Sequence, residues 1–407
     1  MPIPATTPSQ RQARWHEFLV YLCNRPFTFI FLDIVRRLGD VVHVPPLGYF
    51  VHHPAIAKAV LADPKVSNSE VGSYGALFTQ VLGPFALINM EGPEHRQLKS
   101  HLREFFTEDR LERLIGAELR QSVVQLREAL DSDITVDLSD FMRGLSTRLF
   151  CRILGIAPSG GDWETECKHI YRLSARMTSR GALLKRLLSE AEVNSAKVIH
   201  RELAGYTRAA YQRTDLEPSS IIAGLKTAGY SYTQVEGLLT SLLIAGTAIV
   251  TLAVPRIAAV LLDSGAFVDL RNDPTMLKAA IDECLRFITP SNVLFRVATD
   301  DVVVDRHTVP KGSRIYVVFY SLMKHKGYFR RPHDLDIRRE IPNEIRYLWF
   351  GHGRHSCLGI ALAHRIVHAL IEMLIGLDGT LVVGPRAYGR NLIFPGYERF
   401  CIGLRRA

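Results

Sequence analysis

Paired cysteines, a surplus of acid, low-complexity linkers and a basic tail are all missing from this 407-residue sequence, and each absence removes a class of protein. The six cysteines, at 23, 151, 167, 284, 357 and 401, are scattered without paired spacing, which argues for a reducing intracellular setting rather than a disulfide framework. The N-terminal run Met1-Pro2-Ile3-Pro4-Ala5 lacks the basic-then-apolar build of a signal peptide. The apolar stretch from Phe18 to Leu32 is interrupted by Asn24, Arg25 and Pro26 and is too short to span a bilayer, so the expectation is a soluble, cytoplasmic protein without membrane insertion. Acids are the minority charge: the net charge is +9 with pI near 9.3. The basic residues nevertheless form no Lys/Arg-rich tail and no aromatic-interleaved repeat, which excludes nucleic acid as the expected partner. With no internal repeat dividing it, and 47% hydrophobic residues, the chain reads as one large domain able to bury a sizeable core.

What is present is concentrated in Phe350-Gly351-His352-Gly353-Arg354-His355-Ser356-Cys357-Leu358-Gly359. One cysteine ends a glycine-punctuated loop directly before the helix-favouring run Ile360 to Arg365. A helix dipole and unpaired N–H groups stabilise a thiolate there, making Cys357 a candidate metal ligand. Gly351 and Gly353 permit a tight bend, and Gly359 lets a flat group approach the helix. Zinc held by Cys357, His352 and His355 is the alternative, although no second cysteine pair lies at zinc spacing.

The chain around this loop reads as predominantly helical. Helical patterns fill 108–131, 138–155, 162–180, 184–212 and 217–226. Residues 1–38 read as a loose leader and one helix closed by Gly39. Val41 to Val51 reads as two short strands, Pro54 to Leu61 as a helix, and 70–90 as a glycine-rich, weakly periodic segment. A further helix starts at Glu91 and places His95 and Lys99 on one face. Thr233 and Glu236 stand at capping-box spacing before a nearly all-apolar helix to about Asp263, which should cross the interior and be disturbed at Pro255. Glu283 and Arg286 share a helix face. Short strands are expected around Arg296, at 301–320, at Leu381–Val383 and at Glu398–Leu404.

The ten-residue string resembles the haem-binding loop of the cytochrome P450 family, pattern Phe-Gly-x-Gly-x-His-x-Cys-x-Gly, with every fixed position filled. The resemblance extends from about Gly39 to the C-terminus. It implies a mainly α fold with small β-sheets, a single haem domain over 39–407, and haem b with Cys357 as its axial thiolate. His355, His95, Lys99 and Arg296 would serve the haem propionates, with Lys99 where the family usually has Arg. Phe350 would pack on the proximal side, Gly359 would complete the loop, and Glu283 with Arg286 would form the family's structural ion pair. In the interior helix, Ala245 and Gly246 match the family's oxygen-side pattern, whereas its acid and alcohol are replaced by Ala248 and Ile249. Thr247 and Thr251 lie nearby, Thr251 about 60° around the helix from Ala248.

The implied activity is oxidation of a small apolar organic substrate, in bacterial natural-product biosynthesis. The missing proton donors leave three routes open: protons from substrate or water, peroxide as oxidant, or a coupling, desaturation or rearrangement that inserts no oxygen. A non-catalytic haem sensor is the rival. The pocket would include Ala245, Ala248, Ile249 and Val293, with walls from 70–90 and 392–396. A ferredoxin and its reductase would dock on a basic side near Arg330, Arg331, Arg338, Arg339, Arg346 and Arg354, and the protein would be a monomer.

Overall fold

The long apolar run becomes the central helix of the molecule, Tyr232–Ser264, in a computed structural model that describes residues 8–158, 160–178, 187–390, 392 and 394–406. Although this helix is long and apolar enough to cross a membrane, most of it is buried inside the protein, which is the setting of a core helix. It continues through Pro255. Its N-terminus is capped two residues earlier than expected: the Gln234 side chain accepts from the Ser231 backbone N–H (2.9 Å), while Glu236 pairs with Arg208 (3.2 Å). Helices Leu138–Leu154, Trp163–Thr178 and Glu190–Gln212 pack around it, and Ile360–Ile375 lies beside Glu108–Asp131. The expected helical ends at 179–180 and 184–186 lie outside the described residues, and the expected helix at 217–226 is Ile221–Thr227, started by the Ser220 cap.

Strands form a small five-stranded sheet in the order Val41–Val44, Gly48–Val51, Arg314–Val317, Leu294–Ala298, Val66–Ser67, with one parallel pairing, Gly48–Val51 on Arg314–Val317. A three-stranded sheet joins Val136–Asp137, Tyr397–Arg405 and Thr380–Tyr388, and Val302–Val304 pairs with His307–Val309. Segment 70–90 contains a helix, Tyr74–Leu82, capped by Ser73.

Residues 1–7 of the expected leader lie outside the described residues; residues 8–38 hold two helices, Gln10–Asn24 and Pro26–Val35, bent by 116° at Arg25. The residue before a proline is pushed out of the helical region by the ring's Cδ, and Arg25 accordingly sits at φ −149°, ψ 80°. This elbow is no loose leader. Glu17 is buried against Arg256 of the central helix, and the Tyr21 hydroxyl donates to the Ile288 carbonyl (2.5 Å).

His52 is buried where the five-stranded sheet meets Ser321, whose Oγ lies 2.7 Å from its Nδ1. Burial pushes its pKa down from 6.5 to about 4. The neutral ring is therefore favoured in the folded state, so its contribution is complete above pH 6.5 and lost as pH falls toward 4, on the order of 3 kcal/mol. Urea unfolding at pH 7 and pH 4.5 should show this loss in the native sequence and a smaller loss in His52→Gln; equal losses would remove His52 from the account.

Candidate functional site: a cavity over the cysteine loop

A cavity of about 430 Å³ opens between the central helix and the cysteine loop. The loop is built by short-range constraints. Gly353 at φ +68° packs so closely on helix Pro54–Ala62 that a Cβ would meet the Leu61 carbonyl oxygen at 2.6 Å. The Cys357 N–H donates to the Phe350 carbonyl (2.9 Å), turning the chain so that the sulfur reaches the cavity. Sγ is enclosed by protein on its other sides yet accessible through the cavity, which is why it is at once exposed by area and strongly desolvated. Desolvation raises the thiol pKa, and the Gly359 N–H (3.3 Å) and the Lys99 charge pull it the other way. The helix itself starts only at Ile360, so its dipole is not what dominates at this sulfur. A Cβ on Gly359 would find only Cys357 Sγ within 4 Å, leaving a flat open floor beside the sulfur.

The expected cationic set converges here. His95, Lys99, Arg296 and His355 all line the cavity. The His95 and His355 rings lie 4.6 Å apart, and both ring nitrogens of His95 are buried without a hydrogen-bond partner. Arg296 donates to Asn68 Oδ1 (3.0 Å) and to the Phe295 carbonyl (3.1 Å), with burial lowering its pKa to about 10. Lys99 has a task that its spacing did not disclose: its Nζ donates to the carbonyls of Arg354 (2.5 Å) and Ser356 (2.7 Å), tying the loop to helix Gly92–Arg103. Desolvation lowers its pKa to about 8.

Two partners escaped the sequence reading. Glu91 joins His355 (3.2 Å), Arg354 (2.6 Å) and the Asn68 N–H (2.8 Å), and its pKa is held down to about 2 by those contacts against the cost of burial. Asn68, which serves Arg296 from 228 residues away, had no signal in the sequence. Phe350 lines the cavity beside Trp349, whose indole N–H is buried without a partner.

On the opposite wall the central helix presents Ala245, Gly246, Ala248 and Ile249. Gly246 is demanded by packing, since a Cβ there would run into the Phe150 ring at 2.1 Å. Thr251 does not reach the cavity. Its hydroxyl donates to the Thr247 carbonyl (2.6 Å) and pairs with Ser146 on helix Leu138–Leu154, while Thr247 bonds back to Leu243 (3.0 Å). Val293 lines the cavity as expected; Phe78, Leu87 and Ile88 come from segment 70–90 and Phe394 from the loop at 392–396, of which residue 393 is outside the described set. The N-terminal elbow adds Tyr21, Asn24, Arg25 and Phe29, which the reading of 1–38 as a leader had not assigned to the site.

Outside the cavity lining, Glu283 and Arg286 are fully buried and joined by two hydrogen bonds of 2.6 and 2.8 Å. Of the six arginines expected on a basic face, Arg330, Arg331, Arg338 and Arg346 are exposed; Arg339 turns inward to Glu283 (3.1 Å) and Arg354 to Glu91. Zinc at Cys357 finds no geometric support: among the described residues, the one trio of such side chains close enough to share an ion is Asp40, His53 and His325, which excludes the cysteine.

An accessible sulfur on a flat floor, orphaned imidazole nitrogens and buried cations facing one enclosed, otherwise apolar space fit a large planar anion with a metal at its centre. Fold and site thus define a haem-thiolate protein. The family model described as Cytochrome P450 matches residues 262–376. The chain is similar to 20-oxo-5-O-mycaminosyltylactone 23-monooxygenase of Streptomyces fradiae, 28% identical over 355 residues that cover 84% of this chain and 80% of that protein. It also resembles the polyketide biosynthesis cytochrome P450 PksS of Bacillus subtilis (25% identical, 79% and 78% covered). In fold it matches the crystal structure of Mycobacterium smegmatis CYP164A2 with a TM-score of 0.79 at 22% identity, over 97% of this chain and all of that one. In sequence and fold the chain is thus similar to the cytochrome P450 family, whose members are oxidoreductases carrying haem b on an axial cysteine thiolate.

Proposed function

We propose that Cys357 is the axial ligand of haem b in this chain and that the enzyme oxidises a small, largely apolar organic molecule in bacterial natural-product biosynthesis. The observation that carries the reading is the Cys357 sulfur opening onto a cavity bounded by His95, Arg296 and His355. When bound, haem supplies the one-electron and dioxygen chemistry that a polypeptide lacks. His95 offers its unpartnered nitrogens, Arg296 its charge and His355 its ring nitrogens to the propionates; Lys99 holds the loop that presents the sulfur. Phe350 and Gly359 shape the floor. Ala245, Gly246, Ala248 and Ile249 exclude water from the opposite side and hold no proton. Thr251, spent on Thr247 and Ser146, does not stand in for the missing alcohol, so the protons come with the substrate, with ordered water or with the oxidant. The relatives with macrolide and polyketide assignments support the biosynthetic setting. Residues 39–407 form the haem domain, the elbow before it completes the cavity wall, and the protein works as a cytoplasmic monomer. Electrons come from a ferredoxin-type donor docking on the exposed arginines near the cysteine loop.

Ala248→Glu combined with Ile249→Thr restores an acid and an alcohol on the cavity wall. The expected result is a changed ratio of product formed to electrons consumed and of peroxide released. Unchanged oxygen consumption, peroxide leakage and product would sink the claim that this wall governs proton supply.

A further inference from the structure

Among the described residues thirteen large apolar side chains are exposed, and six of them fall between residues 15 and 38, in the N-terminal elbow. On its first arm, Gln10–Asn24, the residues Arg11, Arg14, Trp15 and Phe18 stand at i, i+3, i+4 and i+7, so they share one helix face, and all four are exposed. On the second arm, Pro26–Val35, the exposed Phe27, Ile30 and Ile34 lie within about 60° of one another at ~100° per residue. Exposed Arg37 and Leu38 follow just past the helix end. Phe18 joins the two arms: its ring stacks on Trp15 (5.8 Å) and meets Phe29 edge-on (5.5 Å).

The inner side of the second arm is already in use. Thr28, Phe29 and Leu32 line the cavity, and Leu32 and Val35 pack with Phe50, Phe295 and Tyr316 of the five-stranded sheet. A helix that is apolar on every side belongs in a core or against lipid, and the outer side of this one is open. The elbow is also held in place. The Leu392 N–H donates to Asn24 Oδ1 (2.8 Å), Asn24 Nδ2 donates back to the Leu392 carbonyl (3.1 Å), and Glu17 pairs with Arg256. The apolar face is therefore formed before anything touches it, and contact costs no ordering of the backbone.

Charge says what touches it. Residues 8–38 carry five arginines against two acids. Glu17 is buried, and Asp33 is held by Arg36 (2.7 Å) and Arg37 (2.6 Å). Arg14 reaches Asp334 (3.3 Å) yet stays half exposed, and Arg11 stands one turn before it. The exposed apolar stripes are thus edged by positive charge.

We propose that the elbow is a membrane-contact surface: Trp15, Phe27, Ile30 and Ile34 enter the interface of an anionic lipid surface whose headgroups meet Arg11, Arg14 and Arg37. An arm of 10 residues is too short to span a bilayer, so the molecule lies on the lipid, held by apolar burial and by attraction to anionic headgroups. A second copy of the chain fits the face less well, because a two-fold pairing opposes the same patch on both molecules and sets arginine against arginine. Since the inner side of the second arm walls the cavity, docking holds the cavity against the lipid.

Sedimentation of the full-length protein with vesicles of phosphatidylcholine mixed with phosphatidylglycerol, and of phosphatidylcholine alone, tests this. Binding to the mixed vesicles should be about tenfold or more tighter than to phosphatidylcholine alone, and should weaken in high salt. Phe27 is 89% exposed and has little packing to lose, so Phe27→Ser should leave the fold intact and weaken vesicle binding about tenfold. Arg11→Gln should weaken binding to the mixed vesicles about fivefold. Val303→Ser, at a side chain 73% exposed on the Val302–Val304 strand, should change nothing. Trp15 fluorescence should shift to the blue on the mixed vesicles. No binding to either vesicle, equal losses from Val303→Ser and Phe27→Ser, or a dimer in solution that Phe27→Ser dissociates would overturn the proposal. The assay reads lipid contact and not turnover, so its outcome is independent of the haem-thiolate reading.

Discussion

Cys357→Ser should abolish the red-shifted Soret band of the reduced carbon monoxide complex and take turnover to background, with little change in the fold. The sulfur faces the cavity, so exchanging it for a hydroxyl removes no packed contact. The backbone bond from residue 357 to the Phe350 carbonyl survives the exchange, as do the Lys99 tethers and the packing of Gly353 on Leu61. Stability of the protein without haem should therefore move by less than about 1 kcal/mol, within the range of substitutions that leave packing intact. The functional loss should exceed the roughly 10–100-fold that follows removal of a group supporting a metal ligand, because here the electron-donating ligand itself is gone. A variant that kept the shifted band would show that another side chain holds the iron, and Cys357 would be only a small residue at the mouth of a turn.

The cysteine loop was legible because its information is local: ten contiguous residues carry the bends and the sulfur, and the helix follows at once from Ile360. Glu283 and Arg286 were legible for the same reason, three residues apart on one helix face. Asn68 was not, because its contact with Arg296 joins residues 228 apart and depends on how the short strand Val66–Ser67 pairs with Leu294–Ala298. Thr251 shows the limit of face arithmetic. Its offset of about 60° from Ala248 left it flanking the cavity on paper. In the folded chain that offset is enough to hand it to Leu138–Leu154, where Ser146 waits. The helix Tyr74–Leu82 was hidden by glycines at 72, 75 and 83. Gly75 is required by contact, since a Cβ there would strike the Asn68 carbonyl at 2.2 Å. The elbow at Arg25 was written in the sequence as a proline, but only the tertiary structure turns its inner face into a wall of the site.

Arg286→Leu should cost roughly 3–5 kcal/mol and impair haem retention, the largest stability effect expected in the molecule. The guanidinium makes five hydrogen bonds: two to Glu283 and one each to the carbonyls of Met323 (2.7 Å), Pro332 (3.0 Å) and Asp334 (3.2 Å). Its removal strands a buried carboxylate that Arg339 (3.1 Å) and the Asp336 N–H (3.0 Å) satisfy only in part, and leaves backbone carbonyls without their donor. The double variant Glu283→Met/Arg286→Leu separates these losses. It removes the stranded charge, so it should recover part of the stability measured by urea unfolding, but the carbonyls of the meander at 323–334 stay unpaired and full recovery is not expected. If the double variant matched the native protein, the pair would be replaceable by apolar packing. If Arg286→Leu itself moved stability by under about 1 kcal/mol, the meander would be held by something else. The consequence for the site follows from chain order: the segment clamped by Arg286 ends at Asp334, and residues 335–349 carry the chain on to Phe350, so loosening it reaches the cysteine loop through the backbone, and haem retention should fall even though neither residue lines the cavity.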